Sequence, residues 1–589
     1  MPTTLSDPRN NTILTSKIRL FVFPLVAVLS FVFLIWRAKF GYCFMDEPFI
    51  ISLAQRMYMG DALIVDEWHV CQNTGPLLLP FYALFRLFSA DNESLMLCFR
   101  YIYCVFWWLS CVYVYKKLSN ESTGFIGPIA VFIYLVLFSP LDYMVLSYTC
   151  LGLAACLFLC CFLYRVPDTR QPLSPGAVLF FSALWVVLTL CCPYVAPLFV
   201  LFLIFFILAG YIEKKKGVSH YFRNVRAVSL ASLPVIAVIC VVYLFAFIFS
   251  RAELSQVLPN LANVLNDPQH ESRNFFKCII STPGYVFLYA PGYVSVCFIV
   301  FIIALFKKFR PYRLILFSVC AFAYITTQLA YTKTVFPAFI PDVPLLNQQM
   351  LYIGLLGAVA FALLDNRPYK LFFIFQGIGW CYTVAQNFAS NSRIYTISMS
   401  LSVIGVCGIL CLAALAKEFR LQYSDRKVLR RFSVLLVAAV LTVQLGSELC
   451  VRFIRTTLDE PLSSLTQEIK YGSAKGIVST PEKAEYHDLI YENLQYLLSG
   501  VDTEGKRFLC TSGTPHVYLD VDLDYGVYSS WNCFLEPEQL TARIEAYQAL
   551  HPDSLPDIIF SASESDILPI TDNSFRCMEY RGSYLFVRN

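Results

Sequence analysis

The sequence predicts an all-α polytopic membrane protein of about thirteen transmembrane helices, followed by a small extracytoplasmic α/β domain at its C-terminal end. Three observations predict it. Hydrophobic residues make up 57% of the 589 and charged residues only 15%. Apolar runs of 17 or more residues recur between residues 18 and 453, and a run of that length is read as a bilayer-spanning helix. The charge then changes sign: 21 of the 41 acidic residues but only 10 of the 45 basic ones lie after residue 454, so the tail carries −11 and the rest +15. The chain therefore divides into a cytosolic N-terminus (1–17), a transmembrane domain (18–453) and an extracytoplasmic domain (454–589).

The first apolar run, Ile18 to Trp36, follows Lys17 and lacks a small-residue cleavage pattern before Arg37, which predicts an uncleaved signal anchor and an N-terminus in the cytosol. The next spans are expected near 96–115, 124–140, 148–164, 176–192, 194–211 and 227–249. Six more follow near 286–306, 312–330, 347–364, 371–388, 396–416 and 433–453. None carries an ionisable residue near its middle. The segment from Pro76 to Phe88 is apolar but only 13 residues long, a rise of about 20 Å against a hydrocarbon core of about 30 Å, so it reads as a juxtamembrane helix. With it left out of the count, Lys116/Lys117, Arg165/Arg170, Lys214 to Lys216, Lys307/Lys308/Arg310, Arg367/Lys370 and the basic residues from Lys417 to Arg431 share one side. By the positive-inside rule that side is the cytosol.

Four stretches then face outward: the first outer loop (37–95), the turn around Asp142, residues 250–285 and residues 331–346. The tail, on the same side, alternates helix-like runs (482–498, 537–550) with strand-like ones (507–511, 557–561) and ends in a hairpin over 575–587 around Arg581-Gly582. Most of the 22 cysteines lie inside apolar runs, where a thiol acts as a small hydrophobe. Cys43 with Cys71, or two of Cys510, Cys533 and Cys577, are the candidate disulfide partners. No internal repeat and no Gly-rich nucleotide loop is present, and no nucleic-acid partner is expected.

Chemistry on the outer face has to be built from those loops. Asp46 and Glu47 lie just after the first span, in GYCFMDEPFIISLAQRMYMGD. Two readings stand: solvated acids marking a helix start, or a general base above a membrane-held substrate. The order Asp46-Glu47, the Gly60-Asp61 turn, the proline-bearing helix from Pro76 and Arg100 at the next span resembles the GT-C superfamily of integral-membrane glycosyltransferases, notably protein O-mannosyltransferases and aminoarabinose lipid A transferases. The thirteen-span layout with an outward tail also resembles the latter.

The resemblance implies an inverting transfer of a sugar from a polyprenyl-phosphate donor to an extracytoplasmic acceptor glycan, lipid or protein, with Asp46 as the base. Glu47 and Asp142 are the other expected catalytic acids. The donor phosphate needs cationic partners, and Arg100, Lys333 and Arg393 are the candidates, each with the alternative of a snorkelling interface residue. His69 and His270 are the candidate ligands for a divalent metal ion, although Asn73 and Thr74 stand where aminoarabinose transferases carry an acid. In the tail, His516, Asp520, Asp522 and Asp524 in TPHVYLDVDLDYG read as a strand with one wet face rather than a calcium loop. A transporter or flippase of lipid-linked saccharides is the competing function, and it expects ionisable groups or broken helices at mid-membrane. A bacterial plasma membrane is the expected location.

Overall fold

The structure is a computed structural model. It describes the chain except residues 1–7, 120–124, 139–143, 171–173, 217–219, 267–274, 339–342, 390–393, 455–460, 534 and 571–573, together with the side chains of 8–20, 215–216, 275, 289, 331–338, 343–351, 394–399, 451 and 454.

Each of the thirteen apolar segments coincides with a helix. α1 (Pro8–Arg37) leads to two loop helices, α2 (Asp46–Met59) and α3 (Thr74–Phe88), and then to α4 (Leu95–Leu118), α5 (Ile126–Leu137), α6 (Tyr148–Arg165) and α7 (Pro175–Cys191). α8 (Ala196–Lys216), α9 (Tyr221–Leu244), α10 (Leu254–Leu265), α11 (Phe275–Tyr289) and α12 (Pro291–Leu305) follow. The bundle ends with α13 (Arg313–Ala338), α14 (Val343–Leu363), α15 (Tyr369–Ala389), α16 (Ile394–Gln422) and α17 (Lys427–Ile454). Among the described residues, seven helices are long and apolar enough to cross a membrane, or eight if the bent pair α11 and α12 is one span. That bend departs from the single span expected over 286–306. Ala290 leaves helical geometry (φ −146°, ψ 62°) directly before Pro291, because proline offers no N–H and disfavours the helical conformation in the residue before it.

The outer helices keep apolar faces without a partner in the chain. Phe21, Leu25, Val28, Leu29 and Val32 on α1 are exposed at helical spacing, as are Leu201, Ile204 and Leu208 on α8. Faces of this kind suit an apolar surrounding. Inside, α14 and α16 cross where Gly357 meets Gly408: a Cβ at Gly357 would lie 2.0 Å from the Gly408 Cα, so no larger residue fits. At one end of the bundle Arg165 donates to the Lys117 carbonyl (2.6 Å) and Lys370 pairs with Asp168 (3.7 Å). Arg313 pairs with Asp365 (2.7 Å) and with Glu418. These basic clusters thus share an end, as their placement in the sequence predicts.

The tail is a small α/β domain. Its five-stranded sheet runs β4-β3-β5-β7-β6, where β3 is Arg507–Cys510, β4 Asp524–Tyr525, β5 Ile558–Ser561, β6 Phe575–Tyr580 and β7 Ser583–Arg588. β3 pairs parallel to β4 and β5, while β7 is antiparallel to β5 and β6. A separate antiparallel pair joins β1 (Gln467–Glu468) to β2 (Val478–Ser479). The helices are α18 (Pro481–Leu498), α19 (His516–Leu519) and α20 (Pro537–Leu550). The β6–β7 turn has positive φ at both Arg581 (48°) and Gly582 (77°), the geometry that matches the twist of a tight hairpin. The strand expected at His516 is instead one helical turn, and only Asp524–Tyr525 of that stretch pairs in the sheet. Period-two alternation over a few residues misleads where a Thr-Pro turn starts a short helix.

Candidate functional site

α2 begins at Asp46 because Asp46 and Glu47 suit the positive end of a helix and Pro48 falls in the first turn, where its missing N–H costs nothing. It ends at Gly60, whose φ of 111° only glycine adopts freely. α3 packs back along α2 at Gly75, where a Cβ would sit 2.7 Å from the Leu53 carbonyl oxygen. This hairpin of helices presents its first turn to the start of α4.

The two adjacent acids are treated differently. Glu47 is buried and accepts from Arg100 Nε (3.0 Å) and from its terminal nitrogen Nη2, while its other oxygen accepts from the Met144 backbone N–H (2.7 Å). Arg100 donates its remaining nitrogen to the Ala38 carbonyl (3.0 Å). Glu47 therefore ties α2 to α1, to α4 and to the entry of α6. Asp46 is half-buried, and no hydrogen bond from another side chain reaches its carboxylate among the described residues. Burial, and then the charge of Glu47, push its pKa up to about 6. Cys43, Tyr148 and Cys533 lie within electrostatic reach of it.

Further along the loop each charged group has a bonded partner. Arg56, wholly buried, pairs with Asp61 (2.6 Å) and Glu67 (3.0 Å), donates to the carbonyls of Asp66 and Val527, and lies 4.7 Å over the Tyr525 ring. Val527 and Tyr525 belong to the tail. Other bonds join the same two surfaces: Gln55 to the Val521 carbonyl (3.1 Å), Ser52 with Ser530 (2.5 Å), and the Trp68 N–H to the Tyr528 carbonyl (2.9 Å). Gly41 donates its N–H to the Val478 carbonyl (2.8 Å) and Val478 donates to the Lys39 carbonyl (2.7 Å), on either side of an isolated bridge from Phe40 to β2. The tail thus covers the loop that carries Asp46, an arrangement no local pattern in either segment signals.

Of the other expected site residues, His69 is buried, with its Nδ1 accepting the Cys71 N–H (3.1 Å) and its ring against Phe49 (4.6 Å). Asp142, His270 and Arg393 lie outside the described residues, and Lys333 falls in α13 where side chains are not described. The structure therefore brings Asp46, Glu47 and Arg100 together and leaves His69 on the neighbouring turn of the loop. Asn73 accepts from the Tyr243 hydroxyl (3.1 Å). Trp68 and Tyr293 are buried, and the Trp68 indole N–H donates to Asn260 Oδ1 (2.9 Å). None of the 22 cysteines is disulfide-bonded in the structure, so neither candidate pair is joined there.

An apolar groove of about 900 Å³ runs between α6, α7, α8 and α15, lined by residues such as Leu159, Trp185, Phe202, Phe206, Ile374 and Tyr382. Lys370 and Asp168 line it at the basic end of the bundle. Tyr382 lines it toward the other end, where α6 approaches so closely that a Cβ at Gly152 would meet its hydroxyl at 2.5 Å. Cys192 lies within electrostatic reach of both Tyr382 and Tyr148, and Asp46 within that of Tyr148.

Sequence reasoning passed over Glu448 on α17, which is buried and accepts from Gln444, itself bonded to Tyr324. It also passed over His487 on α18, buried in the tail. An isolated histidine or glutamate gives no pattern to read. No family model and no curated protein matches this sequence.

Proposed function

We propose that the chain is a thirteen-span glycosyltransferase of the GT-C type, with its N-terminus and basic loops in the cytosol and its tail outside the plasma membrane. It moves one sugar from a polyprenyl-phosphate donor to an extracytoplasmic acceptor. The observation that carries the reading is Asp46: a half-buried carboxylate without a hydrogen-bonded side-chain partner among the described residues, fixed on a helix start beside a fully partnered Glu47, in a bundle that also holds a groove of lipid-like polarity. A general base works best with a pKa near the working pH, and a value of about 6 serves that better than an ordinary carboxylate.

In the reaction, an Asp46 oxygen takes the acceptor hydroxyl proton as the acceptor oxygen forms its bond to the anomeric carbon. The bond from that carbon to the phosphate oxygen breaks with its electron pair going to the lipid phosphate, and the configuration inverts. Glu47 and Arg100 hold α2 in place. Because Arg100 already spends its nitrogens on Glu47 and Ala38, the task of balancing the phosphate charge falls to Lys333 and Arg393. Asp142 and a divalent ion near His69 and His270 stay as further parts of the reading.

Transfer from a panel of labelled polyprenyl-phosphate sugars by purified protein in lipid tests it. Asp46→Asn is expected to lower turnover by about 10²–10⁴-fold with folding intact, and wild-type transfer is expected to rise as pH passes through about 6. An Asp46→Asn protein that folds and transfers at the wild-type rate overturns the mechanism. The flippase reading draws support from Glu448, a carboxylate buried among bundle helices. It prevails if the wild type moves the lipid-linked sugar between leaflets and neither transfers nor hydrolyses it.

A further inference from the structure

Where the tail meets the loop ahead of Asp46, three side chains converge with their polar atoms unused. His487 comes from α18, and His516 and Asp520 from one helical turn, where a spacing of four puts both on the same face. One ligand atom from each lies within 4.8 Å of the others. The side chains of His487 and Asp520 are 0% and 1% exposed, and His516 is buried as completely. None of the four imidazole nitrogens makes a hydrogen bond, nor does Asp520 Oδ2. His516 faces the Phe44 carbonyl without bonding geometry. The nearest carboxylate oxygens to His487 stand at 3.6 Å (Asp488) and 3.9 Å (Asp520), too far for hydrogen bonds. Asp520 Oδ1, by contrast, accepts the Ser473 N–H at 2.7 Å, which orients the carboxylate and leaves Oδ2 to the cluster.

Buried polar atoms are nearly always satisfied, and leaving several imidazole nitrogens bare at once is costly. Protonation does not resolve the arrangement, because the two rings lie 5.0 Å apart, so two imidazolium charges would face each other, and neither carboxylate beside His487 is within hydrogen-bond distance of it. A cation satisfies three of these five atoms at once, one nitrogen of each ring and Asp520 Oδ2. We propose that His487, His516 and Asp520 bind one divalent cation of borderline softness, of the zinc class, and that the ion fastens the tail to the segment leading into Asp46. Two imidazoles and a carboxylate form a donor set that suits zinc. Ligand atoms around tetrahedral zinc stand about 3.3 Å apart, so closure needs a movement of roughly 1 Å or less at each. Tyr42 supplies a reason for the placement: its ring is edge-on to His487 at 5.3 Å, and its buried hydroxyl also lacks a partner. It precedes Asp46 by four residues, so the ion would set the path of the chain into α2. His69, on the loop's other side, takes no part.

The test uses the full chain in detergent, stripped with a chelator, loaded with zinc chloride and freed of excess by gel filtration. About one zinc per chain is expected in the wild type and in Asp46→Asn, with a background level in the His487→Asn/His516→Asn variant. Cobalt loading is expected to give the intense visible absorption of a tetrahedral site without a thiolate charge-transfer band, and zinc should raise the wild-type unfolding midpoint. A wild type that retains no zinc, a thiolate band, or a folded double-histidine variant that retains a full equivalent overturns the proposal. Wild-type stoichiometry and the cobalt spectrum decide it even if the double variant does not fold.

Discussion

The loop between α1 and α4 holds two polar stretches under the same cover, and they are settled in opposite ways. In residues 56–67, Arg56 bonds through all three of its nitrogens to two carboxylates and two carbonyls, and Asp66 accepts the Ala62 N–H (2.7 Å), so each charged group has a partner. In residues 42–47, the Tyr42 hydroxyl is without a partner and Asp46 has no hydrogen-bonded side-chain partner among the described residues, while only Glu47 is satisfied. The first stretch joins loop to tail and has nothing to offer a ligand. The second keeps polar capacity in reserve, and such departures from full satisfaction concentrate where a protein acts on something else.

Breaking the satisfied stretch should cost most. Arg56→Met leaves Asp61 and Glu67 buried without their cation, and a loss of at least about 3–5 kcal/mol is expected, read as a collapse of the thermal unfolding midpoint. A midpoint within a few degrees of wild type would mean that the cluster does not hold the loop to the tail. Glu47→Gln comes next. It leaves one buried guanidinium underpaired but keeps an oxygen for the Met144 N–H, so a loss of about 3 kcal/mol is expected, and Arg100→Met in the same protein should recover part of it.

The smallest effect has the opposite sign. A raised carboxyl pKa means the folded state binds the proton more tightly than the unfolded one, so Asp46 lowers stability as pH rises from about 4 to about 6. Asp46→Asn should therefore be more stable than wild type at pH 7.5 by about 1 kcal/mol, after discounting for its partial exposure. A destabilised Asp46→Asn would show that this carboxylate belongs with the matched stretch.

The helices were legible because each rests on a local cue. The 17-residue runs gave all thirteen segments, Gly60 gave the end of α2, and Arg581-Gly582 gave the hairpin. Errors arose where a cue was short or depended on partners. The break at Ala290 depends on one proline inside an apolar run, and α19 replaced a strand inferred from four alternating residues. The site was legible only to the extent of its first loop: Asp46, Glu47 and Arg100 do converge. The bonds between residues 52–68 and residues 521–530, and the meeting of His487 with His516, join stretches whose proximity only the folded chain creates.

The cover over α2 also imposes an order on how the molecule is made. Arg37 donates to the Arg452 carbonyl and Gly41 to that of Val478, so stretches more than 400 residues apart in the sequence are neighbours. The loop bearing Asp46 is made before residues 461–589 and must wait, open on one side, until that segment has been translated and delivered to the same face of the bundle. A chain without that segment therefore carries the acids in an unfinished setting, and assembly of the site doubles as a check that the covering domain has arrived.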